Sequence, residues 1–188
     1  MSAAASYRDR ARSKRSAQAS LIPPEWRLQA VPSVEDAPDA VAYIQNSSNK
    51  LLSPRELAIT EISDINALLR KLASRQLSSL EVTKAFAKRA ALLHQLTTCC
   101  TEIFFEDAFT RAAQLDDHLR RTGETVGPLH GLPVSIKDLF GVEGVDTCIG
   151  TLKSQCTLLK VERQKKKRKL LPENRTALNS NRTGLAQN

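Results

Sequence analysis

Gly127-Pro-Leu-His-Gly-Leu-Pro-Val-Ser-Ile-Lys-Asp138 sets one lysine at the end of a short apolar stretch, directly behind a loop of glycines and prolines. Val134 and Ile136 alternate with Ser135 and Lys137, a period of two that predicts a strand over Leu132–Ile136. One face of that strand is apolar and the other carries a hydroxyl and an amine. An amine buried there would lose its solvation, and desolvation brings a lysine pKa from about 10.4 down to about 5–6 in the strongest cases, low enough for a general base. The same pattern also fits a solvated charge that blunts a sheet edge. Lys137 is the candidate catalytic residue, and the sequence upstream must decide between these readings.

Upstream the pattern turns helical. Ile65, Leu68, Leu69 and Leu72 recur at i, i+3, i+4 and i+7, which predicts a helix near 64–74 with Ser63 as its N-cap. Ser78-x-x-Glu81 has the form of a capping box and opens a second helix, to about residue 95, with Val82, Phe86, Ala90 and Leu93 facing inward. Glu102–Phe105 reads as a short strand. Ala108, Ala112, Leu115 and Leu119 then form the stripe of a third helix, near 106–121, ending before Gly123. Before these helices, Pro23, Pro24, Pro32, Pro38 and Pro54 punctuate an irregular stretch in which only a short helix near Val34–Gln45 is expected, with Trp26 anchoring it to the body. The apolar stripes are core positions, not sites.

Taken with the run Ile59–Val126, the stretch GPLHGLPVSIKD resembles the amino-terminal part of the amidase signature family, closest to its fungal acetamidase-type branch. Leu21-Ile-Pro-Pro-Glu-Trp-Arg-Leu28 resembles the opening of the same enzymes, so the resemblance extends from about Leu21 to Gly150. It implies an α/β fold: the first helices and strands of an α/β/α sheet architecture, here truncated. It also implies a hydrolase that splits small linear carboxamides through a Ser–cis-Ser–Lys triad, in which the lysine at the position of Lys137 accepts the proton. No cofactor and no metal is implied. The two serines belong to a glycine/serine-rich segment further downstream in the family. After Lys137 this sequence holds only Gly141, Gly144, Gly150 and Gly184 and no Ser-Ser pair, so Lys137 alone carries over and the chain is expected to be inactive.

Composition changes near the same place. Residues 151–188 hold ten Lys and Arg against two Asp and Glu, whereas residues 1–150 hold eighteen of each, so the net charge of +8 resides in the tail. All aromatic residues precede Gly141. Three regions are therefore expected: a flexible arm over 1–50, the amidase-like body over 51–150, and a disordered basic tail over 151–188 that is unrelated to the family and arises from a shifted frame, a retained intron or a mistaken gene model. The run Gln164–Lys169 also has the look of a nuclear-import signal or a nucleic-acid patch, which gives the alternative reading of a noncatalytic amidase-like module whose basic tail binds nucleic acid or directs nuclear import. Such a run carries no sequence specificity, so no specific nucleic acid is expected as partner.

No apolar stretch reaches the 18 or so residues that cross a bilayer, and the first twenty residues lack a secretory signal, so no membrane contact and a cytoplasmic location are expected. Four cysteines, two of them adjacent at Cys99 and Cys100, do not make a disulfide framework. His94, His118 and His130 show no metal-ligand spacing: His94 and His118 read as helix-end or surface residues and His130 as a loop residue with a structural hydrogen bond.

Overall fold

The computed structural model describes residues 7–140 and 142. The boundary at Gly150 and the basic run Lys165–Lys169 lie outside them. Among the described residues six helices carry the fold: α1 Tyr7–Ser20, α2 Ala40–Gln45, α3 Pro54–Thr60, α4 Ile65–Ala73, α5 Ser79–Thr97 and α6 Phe105–Thr122, with 3-10 turns at Pro24–Trp26 and Ser47–Asn49.

The hub is α5, which packs against α2, α3, α6 and the turn at Pro24–Trp26. Its nineteen residues contain no glycine or proline, and four alanines (85, 87, 90 and 91) let neighbours approach closely. Three apolar clusters surround it. Ile59, Leu68, Leu72, Leu77, Val82 and Ala85 join α3, α4 and α5, with Leu132 from the loop packed against them. Ile22, Ala91 and Ile103 form the second cluster, capped by Trp26 and Phe105. The third joins Ile44, Leu52 and Leu92. Truncating a fully buried leucine such as Leu72 to alanine in a core of this kind costs about 2–5 kcal/mol.

The three predicted helices are present. Leu68, Leu72, Val82, Ala112 and Leu119 are buried as their spacing requires, but Ile65 is 58% exposed. The N-cap of α4 is Asp64, not Ser63: its carboxylate accepts from Asn66 N at 2.9 Å and sets a negative charge at the positive end of the helix. Ser78 does cap α5, accepting from Glu81 N at 3.0 Å. The return half of that box is replaced, since Glu81 turns its carboxylate to Arg55. The reciprocal box forms instead at Ser53 and Glu56, with Pro54 as the first helical residue, where its missing N–H costs nothing.

Four expectations need correction. The arm is helical over Tyr7–Ser20, held by Lys14 and Gln18 side chains on Glu102. The helix expected over Val34–Gln45 is confined to its last six residues, because Pro38 cannot continue a turn and Asp39 caps the start through Val41 N and Ala42 N. Phe105 opens α6 instead of closing a strand. Neither Glu102–Phe105 nor Leu132–Ile136 is a strand among the described residues, where the fold is all helix and loop, because no described segment offers either one a ladder of backbone partners. No helix among the described residues is long and apolar enough to cross a membrane.

Candidate active site

The motif loop starts where α6 stops. Gly123 caps the helix with φ +75°, a left-handed conformation that an L side chain disfavours, and Thr122 Oγ1 accepts from Glu124 N at 3.1 Å to turn the chain. Two tight turns follow, closed by His130 N on Gly127 O at 3.2 Å and Leu132 N on Leu129 O at 3.2 Å.

Gly131 fixes the loop to the body. Its φ is +76°, and a Cβ there would collide with Ser79 Oγ and lie 3.0 Å from Ser79 Cβ and 3.1 Å from Leu72 Cδ2. Only a residue without a side chain lets the loop backbone sit on the first turn of α5. Beside it His130 is 4% exposed, and its Nδ1 accepts from Val126 N at 3.3 Å, the structural hydrogen bond expected of it. That bond leaves Nε2 as the protonated nitrogen, buried with no partner among the described residues. Burial, chiefly, holds the His130 pKa below the usual histidine value; Asp116 opposes this, and His118 and Arg111 reinforce it. An open cleft of about 360 Å³ between α4 and the loop is lined by Asn66, Arg70, Thr125, Gly127 and His130; Lys137 is not part of its wall.

Lys137 stands on the other limb of the loop, exposed. In place of the end of a strand, on which the amine could be either buried or solvated, Lys137 opens a turn, its carbonyl accepting from Leu139 N at 2.7 Å and Phe140 N at 3.1 Å. Among the described residues nothing covers this limb: Val134 is 68% exposed, Ile136 54% and Phe140 59%. Ser135 is exposed as well and makes no hydrogen bond to Lys137. Side chains with the alternation of a buried strand lie open, and the loop that carries them is fixed at Gly131, Leu132 and His130.

The Amidase family profile matches residues 81–156, taking in α5 from Glu81 onward, α6 and the whole motif loop. Over this stretch the chain is similar to the amidase family. Among its relatives it is 45% identical over 139 residues to an amidase of Gibberella moniliformis, covering 73% of this chain and 26% of the relative. With an acetamidase of Emericella nidulans it shares 43% identity over 145 residues, covering 77% of this chain and 25% of the relative. In three dimensions it is similar to a fatty acid amide hydrolase, with TM-score 0.68 and 36% identity over 75% of this chain and 25% of that one. The chain thus spans about a quarter of the length of the amidases it matches. The family match runs on to Cys156, past the Gly150 at which the sequence reading ended the resemblance.

A second grouping of reactive side chains escaped the sequence reading. His94, in the last turn of α5, meets Cys99 and Cys100 after the chain reverses at Thr98. The Cys100 thiol is pushed up to about 11, first by burial and then by Cys99 beside it, and burial lowers the His94 pKa. The spacing His-x-x-x-x-Cys-Cys is not a familiar ligand motif. The usable signal was the helix end between them, which folds the cysteines back onto the histidine.

Proposed function

We propose that this amidase-like chain supplies the lysine limb of an amide-hydrolysing centre for small linear carboxamides, with Lys137 as the proton acceptor. The observation that carries the reading is the contrast within one loop. Gly131 and His130 are fixed against α4 and α5, while Val134, Ile136 and Lys137 form an apolar edge, with an amine at its end, that none of the described residues covers. Covering that edge with further sheet would remove water from the amine and favour its neutral form, which a general base needs. By family resemblance, the neutral lysine would then take a proton through a bridging serine while a second serine attacks the amide carbon, and backbone N–H groups would hold the oxyanion.

The 188 residues hold no Ser-Ser pair after Lys137, and the exposed Ser135 makes no hydrogen bond to it. An amine without a positioned nucleophile or oxyanion donors lacks the groups that supply most of the rate. The purified 188-residue chain is therefore expected to release no ammonia from acetamide or benzamide above background, and Lys137→Ala should leave that result unchanged. Turnover that vanishes in Lys137→Ala would overturn the assignment of inactivity and make Ser135 the first nucleophile to test. In an acetamidase with the matching lysine replaced by alanine, turnover at the wild-type rate would overturn the role given to Lys137.

A further inference from the structure

α5 ends in a reversal that gathers soft ligands. Thr98 takes a left-handed conformation (φ 52°) and its N–H donates to the His94 carbonyl at 2.7 Å, so the next two residues fold back alongside the imidazole. Cys100 N then donates to His94 Nδ1 at 3.1 Å, and the sulfurs of Cys99 and Cys100 stand 3.9 Å apart. One ligand atom from each of the three residues lies within 4.8 Å of the other two.

We propose that His94, Cys99 and Cys100 bind a thiophilic divalent cation, Zn²⁺ foremost, with three protein ligands and a fourth position open to solvent. The site is separate from the amidase reading and stands or falls independently of it. The sulfur spacing is the geometric argument. Two thiolates at about 2.3 Å from a tetrahedral zinc stand about 3.8 Å from each other, so this edge of the polyhedron is already in place. Two sulfurs and one imidazole nitrogen select zinc-like ions over calcium or magnesium, which take oxygen ligands.

Binding exchanges bonds in a balanced way. The Nδ1 lone pair that now accepts from Cys100 N passes to the metal, Nε2 keeps its proton, and the freed N–H, at a half-exposed residue, passes to water. Each thiol gives its proton to solvent as its sulfur binds, so one Zn²⁺ enters as two protons leave, with no change of oxidation state. The carbonyl end of α5 adds a favourable field for a cation.

The test is a titration of the full chain, reduced with a non-thiol reductant, with Co²⁺ as a spectroscopic stand-in. A sulfur-to-cobalt charge-transfer band should rise to one equivalent and be displaced by Zn²⁺. It should persist in Cys148→Ser/Cys156→Ser and be lost in Cys99→Ser/Cys100→Ser, with His94→Gln weakening it while far-ultraviolet circular dichroism stays unchanged. No band in the intact chain, a band that survives loss of Cys99 and Cys100, or one that requires Cys148 and Cys156 would overturn the proposal. To separate loss of the site from loss of fold, the unsubstituted chain is alkylated with iodoacetamide with and without saturating Zn²⁺. Protection of Cys99 and Cys100 read by peptide mass supports the site, and equal labelling overturns it.

Discussion

The Asp116 carboxylate accepts the backbone N–H groups of Ser79 at 2.6 Å and Leu80 at 3.0 Å, so a side chain in the middle of α6 caps the first turn of α5. Ser79 is also the residue on which Gly131 rests. One carboxylate thereby links the helix hub to the loop that carries Lys137.

Asp116→Ala should destabilise the chain by about 1–3 kcal/mol, because it orphans two N–H donors at the positive end of a helix. Asp116→Asn keeps one acceptor and should lose less. Urea denaturation followed by circular dichroism measures both, and equal stability of Asp116→Ala and wild type would show that the cap contributes nothing.

Gly131→Ala should cost about 2–5 kcal/mol, since it adds collision with Ser79 and Leu72 to the strain of a left-handed alanine. Gly123 has nearly the same φ but open space around its Cβ position, so Gly123→Ala should cost only the backbone strain of about 1–2 kcal/mol. Ser79→Ala removes the nearest colliding atom and should relieve Gly131→Ala in part, giving a non-additive double mutant. Additive costs would mean that the loop does not rest on Ser79.

These contacts also show what the sequence could reveal. Leu68, Leu72, Val82, Ala112 and Leu119 announced themselves by period, because burial on one helix face leaves a trace in spacing. α1 left no such trace: its sequence is charged from Arg8 to Arg15 and small or polar after that, and its link to the body runs through Lys14 and Gln18 on Glu102, polar contacts that hydrophobic periodicity does not register. Pro54 read as a loop marker although Ser53 and Glu56 around it spell a helix start. For the site, the motif gave the loop and its lysine, but burial is a property of whatever packs on Lys137, and alternation in its own stretch could not show that.

Acid should loosen the contact between α3 and α5 at Glu56. Burial alone would raise this carboxyl's pKa, but hydrogen bonds from Lys88 at 2.8 Å and from Ser53 outweigh it and hold the pKa below the ordinary 4.5. A carboxyl whose pKa is depressed on folding contributes stability that is fully present above 4.5 and is lost as pH falls through the lower folded value. Glu56→Gln should therefore lower stability at neutral pH and flatten the acid limb of the stability profile. An acid limb of unchanged slope would assign that sensitivity to other groups.

His130 predicts a second, milder acid response. Its folded pKa lies below 6.5, so the unfolded chain binds the proton more readily, and stability falls as pH drops from 6.5 towards the folded value. Proton NMR of the imidazole should give a midpoint below 6.5, and a midpoint above it would contradict the buried, uncharged ring in the loop.

The amino-terminal segment should be held by hydrogen bonds as much as by its tryptophan. Gln95 on α5 donates to the Trp26 carbonyl at 2.9 Å and accepts from Leu28 N at 2.8 Å, bracketing the segment on both sides of Arg27. The Trp26 ring meets Phe105 and Phe109 at centroid distances of 5.9 and 6.2 Å. Gln95→Ala removes both bonds and should cost about 1–3 kcal/mol while letting water reach the indole, so emission shifts to the red. Trp26 is the chain's single tryptophan, which makes the signal unambiguous. Phe109→Ala removes an edge contact but keeps both Gln95 bonds, and should lower stability with a smaller red shift. If Gln95→Ala leaves the emission maximum in place, ring packing alone holds the segment.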